Sequence, residues 1–262
     1  MNKPFTRVTV SPNFAIGHLI QWKLDNSFAE AEPYNFIVEV SGAPDFSDVA
    51  YELPAGDMYF VVEAPGFKQA FEVDLYYRVK LTTGDNKVFY SQVIVFGATV
   101  ENRRNYKLAS EISRKELLRS RKYTGFGTYL LKRKTFGEVR QDAVDPISGA
   151  PITDNVSDFG TGLNGGYYSP VKIITSYEQG KQTRTLSEAG LGLNESFIVK
   201  MRMIGYPYVE TQDIIVDGDT DERFIVKEVE SIFFPGTSIV LIQTLTAGFV
   251  PYTDPIYKIQ VK

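Results

Sequence analysis

Short strand-like runs at regular spacing are the feature of this sequence that most restricts its fold. Turn signals such as Gly42-Ala-Pro44 and Gly84-Asp-Asn86 separate these runs in residues 1–98. Between Leu75 and Leu81, every second residue falls on one face. About seven such strands in roughly a hundred residues predict an immunoglobulin-like sandwich. The predicted strands are Arg7–Val10, Leu19–Leu24, Asn35–Ser41, Met58–Glu63, Tyr76–Thr82 and Phe89–Phe96.

The composition favours a mainly β protein with a proper core. Hydrophobic residues make up 43% of the 262 residues, and 16 Tyr and 18 Phe accompany a single Trp. Aromatic and β-branched residues favour strands over helices. The net charge of −4 argues against a protein that coats nucleic acid by charge alone.

Residues 99–124 predict a basic linker helix between two β regions. The run 101–122 contains neither Gly nor Pro, and Leu108, Ile112 and Lys115 form a narrow stripe with Leu117 and Leu118 close by. Such a helix either docks one side on a neighbour or touches DNA or an acidic partner. The candidate contacts are Arg103, Arg104, Lys107, Arg114, Lys115 and Arg119, joined by Lys132, Arg133 and Lys134 in the following strand.

Residues 125–194 are predicted to form a Gly-rich extended ribbon. A strand, Gly127–Lys134, precedes a turn and a glycine-rich run, and residues 176–193 are polar and aperiodic, which predicts a flexible loop. We expect part of 125–192 to be disordered in the isolated subunit and to order on assembly. The candidate assembly residues are Gly160, Gly162, Gly165, Gly166, Tyr167 and Tyr168.

Residues 195–262 predict a small β-module, either a strongly bent sheet or a barrel. Its strands are separated by short turns, and the last one is expected to pair back into the sheet. The predicted strands are Ser196–Met203, Asp213–Val216, Arg223–Phe234, Ser238–Thr246 and Ile256–Val261.

The residue types that enzymes use most often are scarce in this chain. There is no Cys, and His18 is the one histidine, which removes thiolate metal sites, cysteine nucleophiles and Ser-His-Asp triads. His18 itself is interpreted as a packing or hydrogen-bonded residue. We therefore expect a protein that is not an enzyme and that holds neither a metal nor a cofactor.

Two motifs imitate ligand sites without the required context. Gly160-Thr-Gly162-Leu-Asn-Gly165 matches a dinucleotide fingerprint, but the following Gly-Tyr-Tyr-Ser-Pro170 cannot open a helix, so a loop with positive φ is the better interpretation. Asp217, Asp219 and Asp221 resemble the start of a calcium loop. Its sixth position is Glu222 where the turn requires Gly, so a hairpin turn is expected, and cation binding there stays open.

The amino terminus lacks the apolar core of a signal peptide, and no later run reaches the ~18 apolar residues of a membrane span. The sequence therefore predicts a soluble protein made in a cytoplasm, with no membrane partner.

The first third of the chain resembles a fibronectin type III module. The resemblance rests on Trp22 in an early strand, the run Tyr76-Tyr-Arg-Val79 and the closing Tyr90-Ser91. In that family the early tryptophan and the late tyrosine are core and corner residues rather than ligand contacts.

Two later stretches resemble neck or head–tail connector proteins of tailed bacteriophages. The first contains Leu130-Leu-Lys-Arg-Lys134, Phe136-Gly-Glu138, Asp145-Pro-x-x-Gly149 and the glycine run that ends at Tyr168. In such relatives two C-x-x-C pairs form a probable zinc knuckle. The corresponding positions here are Arg140, Ala143, Asn155 and Asp158, so the metal does not carry over.

The second stretch resembles the carboxy-terminal β-module of the same proteins. Its motifs are Gly205-Tyr-Pro207, Asp213-Ile-Ile215, Arg223-Phe-Ile-Val226, Gln243 and Asp254-Pro-Ile-Tyr-Lys-Ile259. The resemblance implies a structural virion protein of the head–tail neck, which assembles as a ring with copies of itself. It also implies portal, tail or other neck proteins as partners and possible transit of DNA through the ring.

A different class of function remains open. Fibronectin-like and small β-domains often bind carbohydrates or surfaces. That alternative predicts an exposed aromatic platform, with Tyr206 and Tyr208 as its candidates.

Overall fold

The chain folds as two compact units in a computed structural model. Residues 1–114 with 134–141 make up the first, here called the sandwich unit, and residues 115–133 with 142–262 make up the barrel unit. The structure describes residues 4–13, 17–25, 27–28, 30–63, 73–96, 103–123, 127–137, 158–186, 193–204, 207–235 and 240–261.

The described residues of the sandwich unit form eight strands. In chain order they are β1 Phe5–Asn13, β2 Gly17–Leu24, β3 Asn35–Ser41, β4 Val49–Gly56, β5 Phe60–Glu63, β6 Leu75–Thr82, β7 Val88–Tyr90 and β8 Ile94–Phe96. One sheet has the order β1-β2-β5, and the other has the order β4-β3-β6-β7. Strand β8 also pairs with β6, at Leu75–Tyr77, whereas β7 pairs at Lys80–Thr82. All of these pairs are antiparallel.

The inner faces of the two sheets meet in an aromatic core. Trp22 of β2 lies 5.3 Å from Phe36 of β3 between ring centroids. In β6 the alternate residues Tyr77, Val79 and Leu81 are fully buried, as strand periodicity requires when one face covers a core. The predicted sandwich is confirmed.

Two details of the sandwich differ from the sequence prediction. Strand β4 was not predicted, and the single predicted strand Phe89–Phe96 is two strands, since Ser91 leaves the ladder with its Oγ accepting from the Val79 N–H. Tyr90, the expected corner residue, is exposed, and the guanidinium of Arg78 lies 4.5 Å from its ring centroid.

The predicted helix is present as α1, Arg103–Tyr123. Its buried side was predicted wrongly. Leu108, Ile112 and Leu118 are exposed, and the buried stripe consists of the smaller residues Ala109, Ser113, Leu117 and Ser120. Small side chains let a helix approach its surroundings closely, and a hydrophobic stripe alone does not reveal that.

Six strands close the barrel unit. They are β9 Gly127–Leu131, β10 Val171–Leu186, β11 Leu193–Met203, β12 Ile214–Asp217, β13 Arg223–Phe233 and β14 Val240–Phe249, in the closed order β10-β11-β14-β13-β12-β9. A 3-10 helix, η1 Pro255–Lys258, follows. The small β-barrel predicted for 195–262 is therefore present, but β9 and β10 come from the range predicted to be a ribbon.

The barrel strands bury residues on both faces. Alternate residues such as Leu130, Ile215 and Phe224 belong to the interior core, whereas their neighbours Leu131 and Ile214 belong to a second cluster. The period of two sends successive side chains to opposite faces, so the second cluster covers the outside of β9 and β12. Val250, Ile256 and the partly buried Tyr167 complete that outer cluster.

Two predicted elements of this unit are wrong. Residues 176–186 continue β10 instead of forming a flexible loop, and 187–192 lie outside the described residues. The predicted closing strand Ile256–Val261 is absent, and η1 occupies its first residues, because Pro255 starts a helical turn and the Asp254 carboxylate accepts from the Ile256 N–H at 2.9 Å.

Candidate assembly surface

A two-stranded arm extends β10 and β11 beyond the barrel. Strand β10 pairs with β9 only from Val171 to Ile174, and β11 pairs with β14 only from Ile198 to Met203. Their mutual ladder continues to the pair Leu186–Leu193. Residues 182–186 and 193–197, here called the first arm, thus have both outer edges open within the described part of the chain.

A bulge marks the point where this arm leaves the barrel. The register between β10 and β11 shifts between Tyr177 and Gly180. Bulges bend a strand and increase its twist, so this one sets the direction of the arm. The Tyr177 hydroxyl donates to the Asp217 carboxylate at 3.1 Å, and burial raises the pKa of that hydroxyl.

The second projection is the hairpin of β13 and β14. Strand β12 pairs with β13 only from Arg223 to Ile225, while the ladder with β14 continues to Phe233. The tip carries two exposed apolar side chains, Ile232 at 39% and Phe233 at 52% of their full accessible surface. Residues 232–233 and 240–242 are here called the second arm; its β13 side chains are exposed, whereas Leu241 and Ile242 of β14 are buried.

A buried amide fixes the loop beside this hairpin. Gln243 accepts from the Val209 N–H at 2.9 Å and donates to the Val209 carbonyl at 3.2 Å. Backbone bonds from Gln212 to Val226 and from Val226 to Asp213 hold the same loop. Gln212 and Asp213 therefore continue the pairing with β13 just before β12 begins.

Lys132, predicted as a partner contact, is buried in an ion-pair cluster. Its ammonium donates to Glu210 at 2.8 Å and to Asp213 at 3.0 Å. The Asp213 carboxylate also accepts from the Arg133 and Glu210 N–H groups. Burial raises the pKa of Asp213, and the Lys132 charge and these donors oppose that rise. The cluster ties the end of β9 to the loop.

The glycine run forms a compact turn that packs on the barrel. Gly160, Gly162, Gly165 and Gly166 all have positive φ. A Cβ on Gly166 would overlap the Asp158 carbonyl, so glycine is required there. The Tyr168 N–H donates to the Lys132 carbonyl at 2.9 Å, and Tyr168 is buried. Residues 158–170 are thus not an extended ribbon, while 138–157 lie outside the described residues.

Tyr167 joins this turn to the outer cluster. It forms an antiparallel bridge with Arg133 and packs on the apolar group around Leu131. Burial raises the pKa of Tyr167 to about 12. The two tyrosines predicted for assembly are therefore used within the barrel unit itself.

Arg223 holds the C-terminal segment on the barrel. The buried guanidinium donates to the Ile256 carbonyl and to the Ile259 carbonyl, the latter at 2.8 Å. It also lies over the Tyr257 ring at 4.8 Å from the centroid. A side chain thus satisfies carbonyls that a closing strand would have paired.

The acidic hairpin between β12 and β13 is a self-capped turn. The Asp217 carboxylate accepts from the Asp219 N–H at 2.8 Å and from the Thr220 N–H at 3.3 Å. Asp219 and Asp221 are exposed. No group of three His, Asp or Glu residues in the described ranges is placed to hold a metal ion. The turn has the role that the sequence predicted.

The remaining candidate cations divide into three groups. Arg104, Arg114, Lys115 and Arg119 are exposed on α1. Arg133 and Lys134 are half-buried. The side chains of Arg103 and Lys107 lie outside the described part of the molecule.

Neither comparison with known proteins finds a relative. No protein-family model matches this chain, and no curated protein matches it.

Two other expectations concern binding surfaces. Of the proposed aromatic platform, Tyr206 is outside the described residues and Tyr208 is half-buried.

Among the described helices, none has the length and apolar character that crossing a membrane would require.

His18 belongs to a buried polar trio in the sandwich unit. The Tyr77 hydroxyl lies 2.7 Å from His18 Nδ1 and donates to Glu63 at 2.5 Å. Burial lowers the pKa of His18 to about 4 and raises that of Glu63. All three groups lie between the sheets, so the predicted packing and hydrogen-bonding role of His18 fits its surroundings.

Proposed function

We propose that this chain is a structural virion protein of the head–tail neck of a tailed phage, where it joins portal and tail as a ring subunit without catalysing a reaction. The observation that supports this proposal best is a closed barrel carrying two projecting hairpins. The order of sequence motifs that resembles neck proteins adds to it.

Open-edged hairpins are suited to contacts between subunits. A closed barrel leaves no sheet edge along its body, so edge pairing is confined to the arms. Backbone groups on an open edge pair readily with a strand of another chain. The Ile232 and Phe233 side chains at the second arm are exposed apolar groups that a neighbour can cover.

The ring-subunit role is tested on the purified full chain. We expect mass photometry and negative-stain microscopy to find rings, and the double variant Ile232→Lys with Phe233→Lys to abolish them. The matched control is Tyr51→Lys, since Tyr51 is an exposed aromatic of the sandwich unit. Persistence of rings in the arm variant would remove the arm from the contact, and a chain that stays monomeric at every concentration contradicts the proposal.

A second candidate function, carbohydrate binding, is favoured by one exposed ring. Tyr252 is 62% exposed and packs on Tyr257 with centroids 5.1 Å apart. Aromatic faces of this kind are suited to amphipathic ligands. Binding of a glycan by the monomeric chain that Tyr252→Ala removes would favour this candidate over the neck role.

A further inference from the structure

Three large aliphatic side chains are exposed on one side of α1. Leu108, Ile112 and Leu118 have 49%, 40% and 54% of their surfaces exposed. At about 100° per residue, Leu108 and Ile112 share a face with Lys115 and Arg119, and Leu118 borders it. This surface, here called the exposed helix face, points away from the buried stripe Ala109, Ser113, Leu117 and Ser120.

Cations surround the apolar side chains of this face. Arg104, Lys115 and Arg119 are exposed along it together with one carboxylate, Glu111, and Arg114 is exposed beyond Leu118. An ion pair of 3.7 Å joins Arg119 to Glu116 on the same helix. DNA would match the cations but would place phosphates against leucine and isoleucine. A partner that combines carboxylates with an apolar or aromatic group matches both parts of the face.

The barrel unit presents a surface with that chemistry. Asp219 and Asp221 are exposed in the hairpin turn, and the Tyr252 hydroxyl donates to Glu222 at 3.4 Å. An exposed ring thus contacts one carboxylate of a turn that carries three, and one of these, Asp221, also pairs with Arg223 at 3.6 Å. The Asp217 cap holds the turn in one conformation, which limits the entropy lost on binding. We call this surface the acidic patch.

We propose that the exposed helix face of one copy binds the acidic patch of a second copy. This inference rests on the proposed ring assembly and names one of its contacts. The two surfaces differ and lie on the same chain, so each copy offers one of each. Such a heterologous contact repeats from subunit to subunit and closes into a ring when the rotation between copies allows it.

Charge reversal on each side, followed by a charge swap, tests the contact. One variant is Lys115→Glu with Arg119→Glu, the second is Asp219→Lys with Glu222→Lys, and the third combines all four changes. Arg7→Glu with Lys200→Glu is the control, because both residues are exposed and the charge change equals that of the first variant.

Sedimentation velocity of the full chain measures assembly as a function of protein concentration and salt. We expect each double variant to raise the concentration needed for assembly about tenfold or more, because like charges then face each other. The four-residue swap restores assembly to near the wild-type concentration, and the control leaves it unchanged. Sodium chloride weakens wild-type assembly, since it screens the exposed pairs.

The possible failures separate this inference from the proposed function. If rings persist in both double variants, or if the swap does not restore assembly, the contact is wrong and the ring role stands. If the wild-type chain never self-associates, both are wrong. If Lys115→Glu with Arg119→Glu abolishes binding to duplex DNA and leaves assembly intact, the face binds nucleic acid instead.

Discussion

Buried polar side chains connect different parts of the structure in the sandwich unit and in the barrel unit. In the sandwich, His18, Tyr77 and Glu63 lie between two sheets and bond to one another. In the barrel, Lys132, Asp213 and Arg223 bond to loops and to the C-terminal segment. The first arrangement joins two sheets that already pack, whereas the second replaces sheet pairing for segments that have none.

The two units also differ in where their strands have unpaired edges. Among the described residues, the sandwich is open at β4 on one side of its larger sheet and at β7 and β8 on the other. The barrel closes on itself, so the open edges of its described strands lie in the two arms. In the proposed assembly, the sandwich unit, whose sheet edges are exposed along its sides, can lie at the periphery. The barrel unit exposes strand edges only at its described arms, and a strand of another chain can pair with it there.

The largest expected effect is in the barrel. Arg223→Met removes the guanidinium donors to the Ile256 and Ile259 carbonyls, of which, among the described residues, only the Ile256 carbonyl keeps a backbone partner, the Ile259 N–H, and we expect a loss of about 4 kcal/mol in the free energy of unfolding of that unit. Urea unfolding followed by far-UV circular dichroism measures this loss. Trp22, the one tryptophan of the chain, reports on the sandwich by fluorescence and should keep its midpoint.

Arg7→Met, a change at an exposed residue, is the matched control and should alter neither transition. If the Trp22 transition moves together with the barrel transition in Arg223→Met, the two units unfold as one, and the comparison between them fails.

The second prediction concerns pH and the sandwich. The pKa of His18 is about 4 when folded and 6.5 when unfolded, so between these values only the unfolded chain takes up this proton. Stability is therefore complete above pH 6.5 and falls as pH decreases towards 4, by up to about 3 kcal/mol. The raised pKa of Glu63 has the opposite sign, because its protonated form stabilises the folded state at low pH.

Urea unfolding monitored by Trp22 fluorescence between pH 7 and pH 4.5 checks this prediction. His18→Asn keeps a hydrogen-bonding group near Tyr77 and cannot be protonated, so its unfolding free energy should lose most of the slope between these values. An equal slope in the wild type and in His18→Asn would show that other groups cause the dependence.

The smallest expected effect separates two glycines. A Cβ on Gly218 would overlap the Gly127 carbonyl at the start of β9, so Gly218→Ala should destabilise the barrel by about 1–3 kcal/mol. At Gly42 in the sandwich, a Cβ would meet nothing within 4 Å, so Gly42→Ala is the matched control and should be close to neutral. Equal thermal midpoints for the two variants would contradict the close approach.

The sequence predicted elements that combine regular alternation with a buried face. Strand β6 alternates and buries one face, and β3 buries Phe36, Val38 and Val40 in the same way, although Glu39 and Ser41 are buried as well; both strands were found at their expected positions. Strand β4 was missed because it lies at an edge, is mostly exposed and contains Pro54, which edge strands tolerate. The polar β10 beyond Tyr177 was missed because a two-stranded arm needs no apolar face.

The candidate site was harder to predict than the fold. Lys132 was predicted as a partner contact because its carboxylate partner Asp213 is 81 residues away, and the role of Arg223 was not predicted because the carbonyls that it binds are 33 and 36 residues away. The helix stripe of Leu108 and Ile112 was predicted to dock, but Ala109 and Ser113 are buried instead. The spacing of apolar residues predicts that a helix is amphipathic, but it does not predict which side of the helix the rest of the chain covers.

The continuity of β10 has a mechanical consequence. This strand runs from the barrel wall into the first arm, so a pull on the arm along its axis loads the ladders to β9 and β14 in shear. Antiparallel hydrogen bonds lie across the strand direction, and a shear load is therefore shared by all of them at once. The short strand β8, held on β6 by three residue pairs, can be peeled away one pair at a time. Tension that enters through the arm would therefore load these ladders in shear before it could peel a strand such as β8.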